Sequence, residues 1–280
     1  MFTFELIKSG AKLLKKNNIP THLLDAELIL SNLLNQSREN LLISNEKKLS
    51  KKIINRFHKQ ITRRSKKEPL AYIVNKRDFW KSKFYVNSNT LIPRPETELL
   101  VEKIINYYKN SRPFILDIGT GSGCILISIL QEVKKGKGIG LDVSKKAIHI
   151  AKKNATALSV INRIKFINKP IDFNLMMKFD LVVSNPPYIL SGDIKNLSED
   201  IKKYEPIVAL DGGKDGLDVL RKVIYKAKDI LKIKGMLALE IGHRQYKKVS
   251  QILKKYNFRE KILIKDFKNN IRCIISVLER

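Results

Sequence analysis

Hydrophobic residues recur at helical spacing through the first quarter of the chain. Residues 25–34 place apolar side chains at three- and four-residue intervals, with Thr21 in position to cap the helix, and residues 50–64 repeat the pattern. The N-terminal stretch is also amphipathic, with lysines following its apolar positions. The pattern therefore predicts a helical domain over residues 1–75.

A different periodicity follows in residues 77–91, where apolar and polar positions alternate. Such alternation is typical of a β-strand that buries one face. We expect a β-hairpin in this stretch, within a linker over residues 76–95. The aromatic residues of the stretch are Phe79, Trp80, Phe84 and Tyr85.

Short apolar runs alternate with amphipathic stretches over residues 96–280. This alternation predicts an α/β fold with a doubly wound, mostly parallel sheet, in which ligands bind outside the carboxyl ends of the strands. A terminal hairpin is predicted from residues 260–266 and 271–278. The other predicted strands are 113–118, 138–143, 164–167, 179–184 and 236–241.

The first candidate site lies between the strand predicted at 113–118 and the helix that follows it. Glycines there permit a tight turn and let a ligand approach the backbone, and the helix N-terminus offers free amide donors. The spacing departs from the dinucleotide-binding fingerprint because position 124 is a cysteine. The loop consists of Gly119, Thr120, Gly121, Ser122 and Gly123.

Two carboxylates flank this loop. Asp142 ends the next predicted strand, where a carboxylate can accept hydrogen bonds from both hydroxyls of a ribose. Asp117 precedes the loop. Two roles are open for it, namely orienting the amine of a bound cofactor and bracing the loop.

The second candidate site is Asn185, Pro186, Pro187 and Tyr188, directly after the strand predicted at 179–184. The prolines stiffen the backbone, and Pro186 keeps Asn185 out of the helical region. A rigid segment of this kind suits a planar amide nitrogen as the acceptor of a transferred group, because such a nitrogen is a poor nucleophile. The residues around it have to orient it and accept hydrogen bonds from its N–H groups. The Asn185 side-chain oxygen and the Pro186 carbonyl can accept them, and Tyr188 can cover the flat amide.

The chain is strongly basic, with 55 Lys and Arg against 27 Asp and Glu and a formal net charge of +28. Such an excess suggests an anionic partner. The charge is spread along the chain, however, and lysine predominates over the arginine that usually reads phosphates and bases. A genome-wide compositional bias accounts for this, with RNA-rich surroundings as the alternative. We expect no direct nucleic-acid binding.

Cysteine and histidine usage indicates neither a disulfide framework nor a metal site. Cys124 and Cys273 are expected to be small buried hydrophobes, and the four histidines lack ligand spacing, so no metal is predicted. No apolar run is long enough to span a membrane. The lysines of the N-terminal stretch follow its apolar residues, whereas in a signal peptide the basic residues come first. We expect a cytoplasmic monomer.

The two candidate sites together resemble those of Rossmann-like, class I methyltransferases that modify planar nitrogens. Within that group, the chain resembles the release factor glutamine methyltransferases (HemK/PrmC family) over nearly its whole length. The most specific match is residues 91–98, Leu-Ile-Pro-Arg-Pro-Glu-Thr-Glu. Further matching segments are 25–27, 63–64, 68–72, 79–80, 204–206, 209–210, 215–218 and 239–245.

This resemblance implies that the glycine loop and Asp142 hold S-adenosyl-L-methionine. It also implies that Asn185 touches both cofactor and substrate, while residues 185–188 grip the glutamine of the release factor's Gly-Gly-Gln loop. Asn185, Pro186 and Tyr188 are then the catalytic residues. The helical N-terminal domain would recognise the body of the release factor.

The chain departs from the family beside the expected adenine site. The family usually has Asp followed by an aromatic residue or Leu near position 170, whereas this chain has Asn-Lys-Pro-Ile-Asp-Phe at 168–173. Either Lys169 and Pro170 replace that pair, or a longer loop brings Asp172 and Phe173 to the same place.

Other functions use related motifs. Adenine-N6 and guanine-N2 methyltransferases carry similar Pro-Pro motifs and would flip a base into the pocket. A ribosomal-protein glutamine methyltransferase is a second alternative, and an adaptor that binds release factor without catalysis is a third.

Overall fold

The computed structural model describes residues 1–43 and 48–279, which form two compact units. The first unit comprises Met1–Lys76 and Ser198–Tyr204, and the second comprises Arg77–Leu197 and Glu205–Arg280. Elements are numbered in chain order across both units. No helix among the described residues is long and apolar enough to cross a lipid bilayer.

The first unit is helical where it is described, and its helices enclose an apolar core that includes the fully buried Leu6, Leu30 and Phe57. The spacing of these residues follows from the amphipathic pattern, because residues three and four apart share one helix face. The helices are α1 (Thr3–Lys16), α2 (His22–Leu34), α3 (Arg38–Ile43), α4 (Lys51–Ser65), α5 (Leu70–Val74) and α9 (Glu199–Tyr204).

Ion pairs join the helices of this unit. Nε of Arg64 lies 2.6 Å from Oδ2 of Asp25, and both side chains are largely buried. Nε of Arg38 donates to Oε2 of Glu27 at 2.6 Å. The acidic residues at 25 and 27 thus have structural partners in the helical unit.

The second unit contains a mixed sheet with strand order β5-β4-β3-β6-β7-β9-β8 among its described residues. Neighbouring pairs from β5 through β7 are parallel, while β9 is antiparallel to both β7 and β8. The strands are β3 (Phe114–Ile118), β4 (Lys137–Asp142), β5 (Ile164–Asn168), β6 (Phe179–Ser184), β7 (Leu231–Glu240), β8 (Phe258–Lys265) and β9 (Ile271–Leu278).

Apolar layers cover both faces of this sheet. Successive strand residues point to opposite faces, so Ile115 belongs to one core cluster and Leu116 to the other. The first cluster draws on α6 (Pro95–Tyr108), α7 (Cys124–Glu132) and α8 (Lys145–Ala157), and the second on α10 (Asp218–Ile230) and α11 (Tyr246–Lys255). The α/β fold predicted from the alternation of strands and helices is confirmed.

Some local predictions need correction. Thr21 stands at the N-terminus of α2, but its side chain makes no capping hydrogen bond. The hairpin consists of β1 (Arg77–Phe79) and β2 (Ser82–Phe84), so its strands end well before residue 91. Strand β7 begins at Leu231 rather than near 236.

Candidate active site

The glycine loop is fixed at the carboxyl end of β3 by the neighbouring strand β4. The backbone amides of Gly119 and Thr120 both donate to the carbonyl oxygen of Leu141, at 2.8 and 3.0 Å. Oγ1 of Thr120 also donates to Oδ2 of Asp117 at 2.7 Å. Because β3 and β4 are adjacent and parallel, their carboxyl ends meet at this loop.

Asp142 ends β4 and faces the same loop. Its Oδ2 accepts the Gly121 amide at 2.9 Å, and its Oδ1 accepts the Ser144 amide at 2.8 Å. Each carboxylate oxygen keeps a further lone pair for a ligand hydroxyl. Burial raises the pKa of Asp142 above its usual value, while the two amide hydrogen bonds act in the opposite direction.

Two glycines of the loop are required for different reasons. Gly119 has φ +73°, and a Cβ atom built there would meet nothing within 4 Å, so a ligand can approach its backbone. Gly123 has φ +80°, and a Cβ atom there would lie 2.7 Å from Cδ1 of Ile127. Gly123 therefore allows close packing at the start of α7, and it is absent from the cavity lining.

Asp117 is fully buried below the loop. Its Oδ1 has no hydrogen-bond partner among the described residues, and burial raises its pKa to about 7. Asp117 is also absent from the cavity lining. Its Oδ2 braces the loop through Thr120.

A cavity of about 600 Å³ lies at the carboxyl ends of β3, β4 and β6. Its size is that of a small-molecule site. Asp142 supplies acceptors and the open Gly119 backbone permits close approach, so the lining fits a nucleoside-containing ligand. From the two predicted sites, it brings together Gly119, Thr120, Gly121, Ser122, Asp142, Asn185, Pro186 and Pro187.

Asn185 follows β6 and is partly buried. The hydroxyl of the preceding Ser184 donates to the carbonyl oxygen of Ile118 at 2.7 Å, which ties the ends of β6 and β3 together. Nδ2 of Asn185 donates to Oγ1 of Thr97 at 3.3 Å. This contact leaves Oδ1 of Asn185 available as an acceptor in the cavity wall.

Tyr188 lies outside the cavity lining. Its hydroxyl accepts from Nη2 of Arg272 at 3.1 Å and donates to Oε1 of Glu240 at 3.4 Å. Burial raises the pKa of Tyr188 to about 12, so the hydroxyl is neutral near pH 7. A direct role for Tyr188 in covering the acceptor amide stays a prediction.

Thr97 and Glu240, to which the sequence analysis gives no role, support Asn185. Glu240 is fully buried at the end of β7, and its Oε2 accepts from Oγ1 of Thr97 at 2.5 Å. Burial raises the pKa of Glu240, against the opposing effects of Thr97 and Arg272. A carboxylate closing an apolar strand was the sequence signal for it.

Glu205 anchors another wall of the cavity. Its Oε1 accepts from Nη2 of Arg94 at 2.7 Å, and its Oε2 accepts from the Ile92 amide at 3.2 Å. Leu91, Pro93 and Arg94 line the cavity. The segment that carries the most specific family match is therefore held in place by a buried carboxylate.

The wall beyond β5 includes Lys169, Pro170 and Asp172. Phe173 is absent from the lining and packs instead against the second core cluster. Both members of one candidate pair for the adenine contact, Lys169 and Pro170, thus line the cavity, whereas only Asp172 of the other pair does. Cys124 also lines the cavity, whereas Cys273 is fully buried.

Comparison with known proteins places this architecture in a family. Residues 5–74 match the PrmC N-terminal domain family, and residues 94–267 match the methyltransferase small domain family. A methyltransferase from Pyrococcus furiosus shares the fold, with a TM-score of 0.52, 16% identity and coverage of 70% of this chain and 89% of that one.

Two relatives align over most of their own length. A release factor glutamine methyltransferase from Clostridium acetobutylicum is 37% identical over 97% of this chain and 96% of that protein. One from Buchnera aphidicola subsp. Schizaphis graminum is 41% identical over 89% of this chain and 90% of that protein. The chain therefore belongs to the release factor glutamine methyltransferases.

Proposed function

We propose that this protein transfers a methyl group from S-adenosyl-L-methionine to a side-chain amide nitrogen of a peptide chain release factor. The acceptor is N5 of the glutamine in the Gly-Gly-Gln motif, and the modification supports translation termination. The observation that carries the proposal is one cavity lined by both the glycine loop and residues 185–187. Membership of the family supports the same reaction.

The residues that follow β6 suit a planar NH₂ acceptor. The amide lone pair is delocalised, so the rate depends on alignment with the methyl donor and on acceptors for the two N–H bonds. Oδ1 of Asn185 accepts one N–H, and the carbonyl oxygen of Pro186 accepts the other. Pro187 continues the rigid segment toward Tyr188. The new N–CH₃ bond would form as the methyl–sulfur bond of the donor breaks, and the alkylated nitrogen would then release one N–H proton to water as the product leaves.

The cofactor is held by the opposite side of the cavity. Residues 119–123 let it approach the backbone closely, and Asp142 accepts from its ribose hydroxyls. S-adenosyl-L-methionine supplies an electrophilic methyl group on a sulfonium centre. The residues of the chain bind the donor, orient the acceptor and keep water from the reacting atoms.

The partner is a release factor, and the helical unit provides the surface that recognises its body. The match of residues 5–74 to the PrmC N-terminal domain family supports that assignment. We place the enzyme in the cytoplasm, because its substrate works on translating ribosomes. That the enzyme is a monomer stays a prediction from the sequence. The net charge of +28 would favour encounter in RNA-rich surroundings.

The test is incubation with methyl-labelled S-adenosyl-L-methionine and three acceptors: release factor, ribosomal protein and DNA. We expect label on the release factor alone, on the glutamine of Gly-Gly-Gln by mass spectrometry. A release factor whose Gly-Gly-Gln glutamine is replaced by alanine is the matched control and should stay unlabelled. Label on DNA or ribosomal protein, with none on release factor, would overturn the proposal.

A further inference from the structure

A chain of three side chains leads from the buried end of β7 to the cavity. Oε2 of Glu240 accepts from Oγ1 of Thr97 at 2.5 Å, and the same oxygen of Thr97 accepts from Nδ2 of Asn185 at 3.3 Å. Glu240 is fully buried and Thr97 is 2% exposed, so water does not compete for these groups. The order of donors and acceptors is therefore set within the protein.

The direction of the hydrogen bonds from Asn185 through Thr97 to Glu240 decides which way the Asn185 amide points. A threonine hydroxyl has a single proton. When that proton is donated to Glu240, Oγ1 of Thr97 can only accept from Asn185. Nδ2 of Asn185 must then face Thr97, which leaves Oδ1 to accept an N–H from the acceptor. The reverse orientation would place an NH₂ group against the substrate NH₂, where neither accepts.

A second branch reaches the same carboxylate. The Tyr188 hydroxyl donates to Oε1 of Glu240 at 3.4 Å and accepts from Nη2 of Arg272 at 3.1 Å. The Arg272 guanidinium lies 3.9 Å from Oε1 of Glu240. Two hydroxyl donors and a cation thus face Glu240, and they offset part of the burial that raises its pKa. The first and last residues of the Asn-Pro-Pro-Tyr motif are thus joined through the buried side chains of Thr97 and Glu240.

We propose that Glu240 and Thr97 are positioning residues that hold the Asn185 side-chain oxygen toward the acceptor nitrogen. This inference rests on the proposed function and explains how that function obtains its orientation. Glu240 acts through Thr97 without touching substrate. Its two oxygens also keep the Tyr188 end of the motif in register with the Asn185 end.

The experiment is a swap of hydrogen-bond polarity. In Asn185→Asp, a carboxylate oxygen would face the lone pairs of Thr97, so we expect kcat to fall about a hundredfold or more, as for a misaligned acceptor. Adding Glu240→Gln lets an amide NH₂ donate to Thr97, whose own proton then turns to the carboxylate introduced at position 185. The double variant Asn185→Asp/Glu240→Gln should recover at least about tenfold over Asn185→Asp alone.

Thr97 provides an independent pair of variants. Thr97→Val keeps the branched shape but removes the hydroxyl, and we expect kcat to fall about tenfold, as for one buried hydrogen bond, with the KM for S-adenosyl-L-methionine little changed. Thr97→Ser should recover most of that rate. In an Asn185→Ala background, Thr97→Val should cost little more, because the two residues act as one unit.

A matched control separates positioning from folding. Ser276 is buried in β9, where its hydroxyl donates to the Leu237 carbonyl. Ser276→Ala removes a buried hydroxyl from the same sheet, and we expect wild-type kcat. Thermal unfolding of every variant shows which ones fold.

Two results would overturn the inference: full activity in Asn185→Asp, or no recovery in Asn185→Asp/Glu240→Gln while Thr97→Val matches wild type. All ratios are taken on whichever planar nitrogen the wild-type enzyme methylates. Failure of the release factor as acceptor is then seen in the wild-type assay. Failure of the positioning role is seen only in the ratios between variants.

Discussion

The backbone amide of Gly121 donates a hydrogen bond to Oδ2 of Asp142, with 2.9 Å between the two atoms. The residues are separated by a whole helix in sequence, yet the parallel pairing of β3 and β4 brings them to one edge of the sheet. Asp142 therefore has two tasks. It fixes the glycine loop and it presents acceptors to the cavity.

Replacing Asp142 by asparagine should weaken cofactor binding. The side-chain shape is kept, but the charge is lost and an NH₂ group must oppose either the Gly121 or the Ser144 amide. We expect the Kd for S-adenosyl-L-methionine to rise about ten- to a hundredfold, as for a charged hydrogen bond. Isothermal titration calorimetry measures this, with the exposed Asp78→Asn as control. An unchanged Kd would show that Asp142 serves only the loop.

Alanine substitutions at Gly119 and Gly123 should separate ligand binding from packing. Both positions have positive φ, so each variant should lose about 1–2 kcal/mol of unfolding free energy from backbone strain. Gly123→Ala should lose about 1–3 kcal/mol more, because its Cβ overlaps the Ile127 side chain. Urea denaturation compares the two. Gly119→Ala should have its larger effect on cofactor affinity. Equal losses of stability in the two variants would contradict the assignment of Gly119 to ligand binding and Gly123 to packing.

Asn185→Ala should abolish methyl transfer while cofactor binding is largely kept. The substitution removes an acceptor for the substrate N–H, and alignment then fails, so we expect kcat to fall about a hundredfold or more. Single-turnover transfer to release factor measures the chemical step, and calorimetry measures cofactor affinity. Near-normal turnover in this variant would exclude Asn185 from the reaction.

Asp117 should make the stability of the cofactor-free enzyme depend on pH. Burial raises the pKa of Asp117 to about 7 from an ordinary value of 3.8. Between these values the folded protein holds a proton that the unfolded chain has lost, so stability should fall as pH rises from about 4 to about 7 and then level off. Below about pH 4 the Asp117 carboxyl is protonated in both the folded and the unfolded state, so it adds no pH dependence to the stability.

The comparison with Asp117→Asn isolates that contribution. The variant lacks the titrating carboxyl, so its free energy of unfolding should exceed that of the wild type by a margin that grows from pH 4 to pH 7. Urea titrations at several pH values measure the margin. A margin that stays constant across this range would mean that Asp117 ionises normally in the folded protein.

Periodicity along the chain was enough to predict the layers of the fold. Runs such as residues 179–184 and 114–118 are mostly apolar on both strand faces, because helices cover both faces of the sheet. Where a strand is exposed, the signal weakens. The residues at 232–234 are exposed on β7, so its first half was missed.

The candidate sites were predicted where chemistry and local structure coincide. A glycine loop after a strand, and Asn-Pro-Pro after another, are both contiguous in sequence, and glycine and proline mark each of them as a break in regular structure. Glu240 and Thr97 have no such local signature, since they become partners only when β7 and α6 pack together. Glu205 reaches Arg94 in the same way.

The sequence by itself determined the family, the α/β order of elements, and the two loops that face each other across the cavity. Local periodicity and turn chemistry act between near neighbours, and they suffice for the order of elements and the positions of the two loops along the chain. The family follows from similarity to known proteins over most of the chain. Only the tertiary structure decided that Tyr188 turns toward Arg272, that Asp117 is sealed below its loop, and that the buried Glu240 reaches Asn185 through Thr97. Those outcomes depend on hydrogen bonds between distant residues, whose pairing exists only once the sheet has formed.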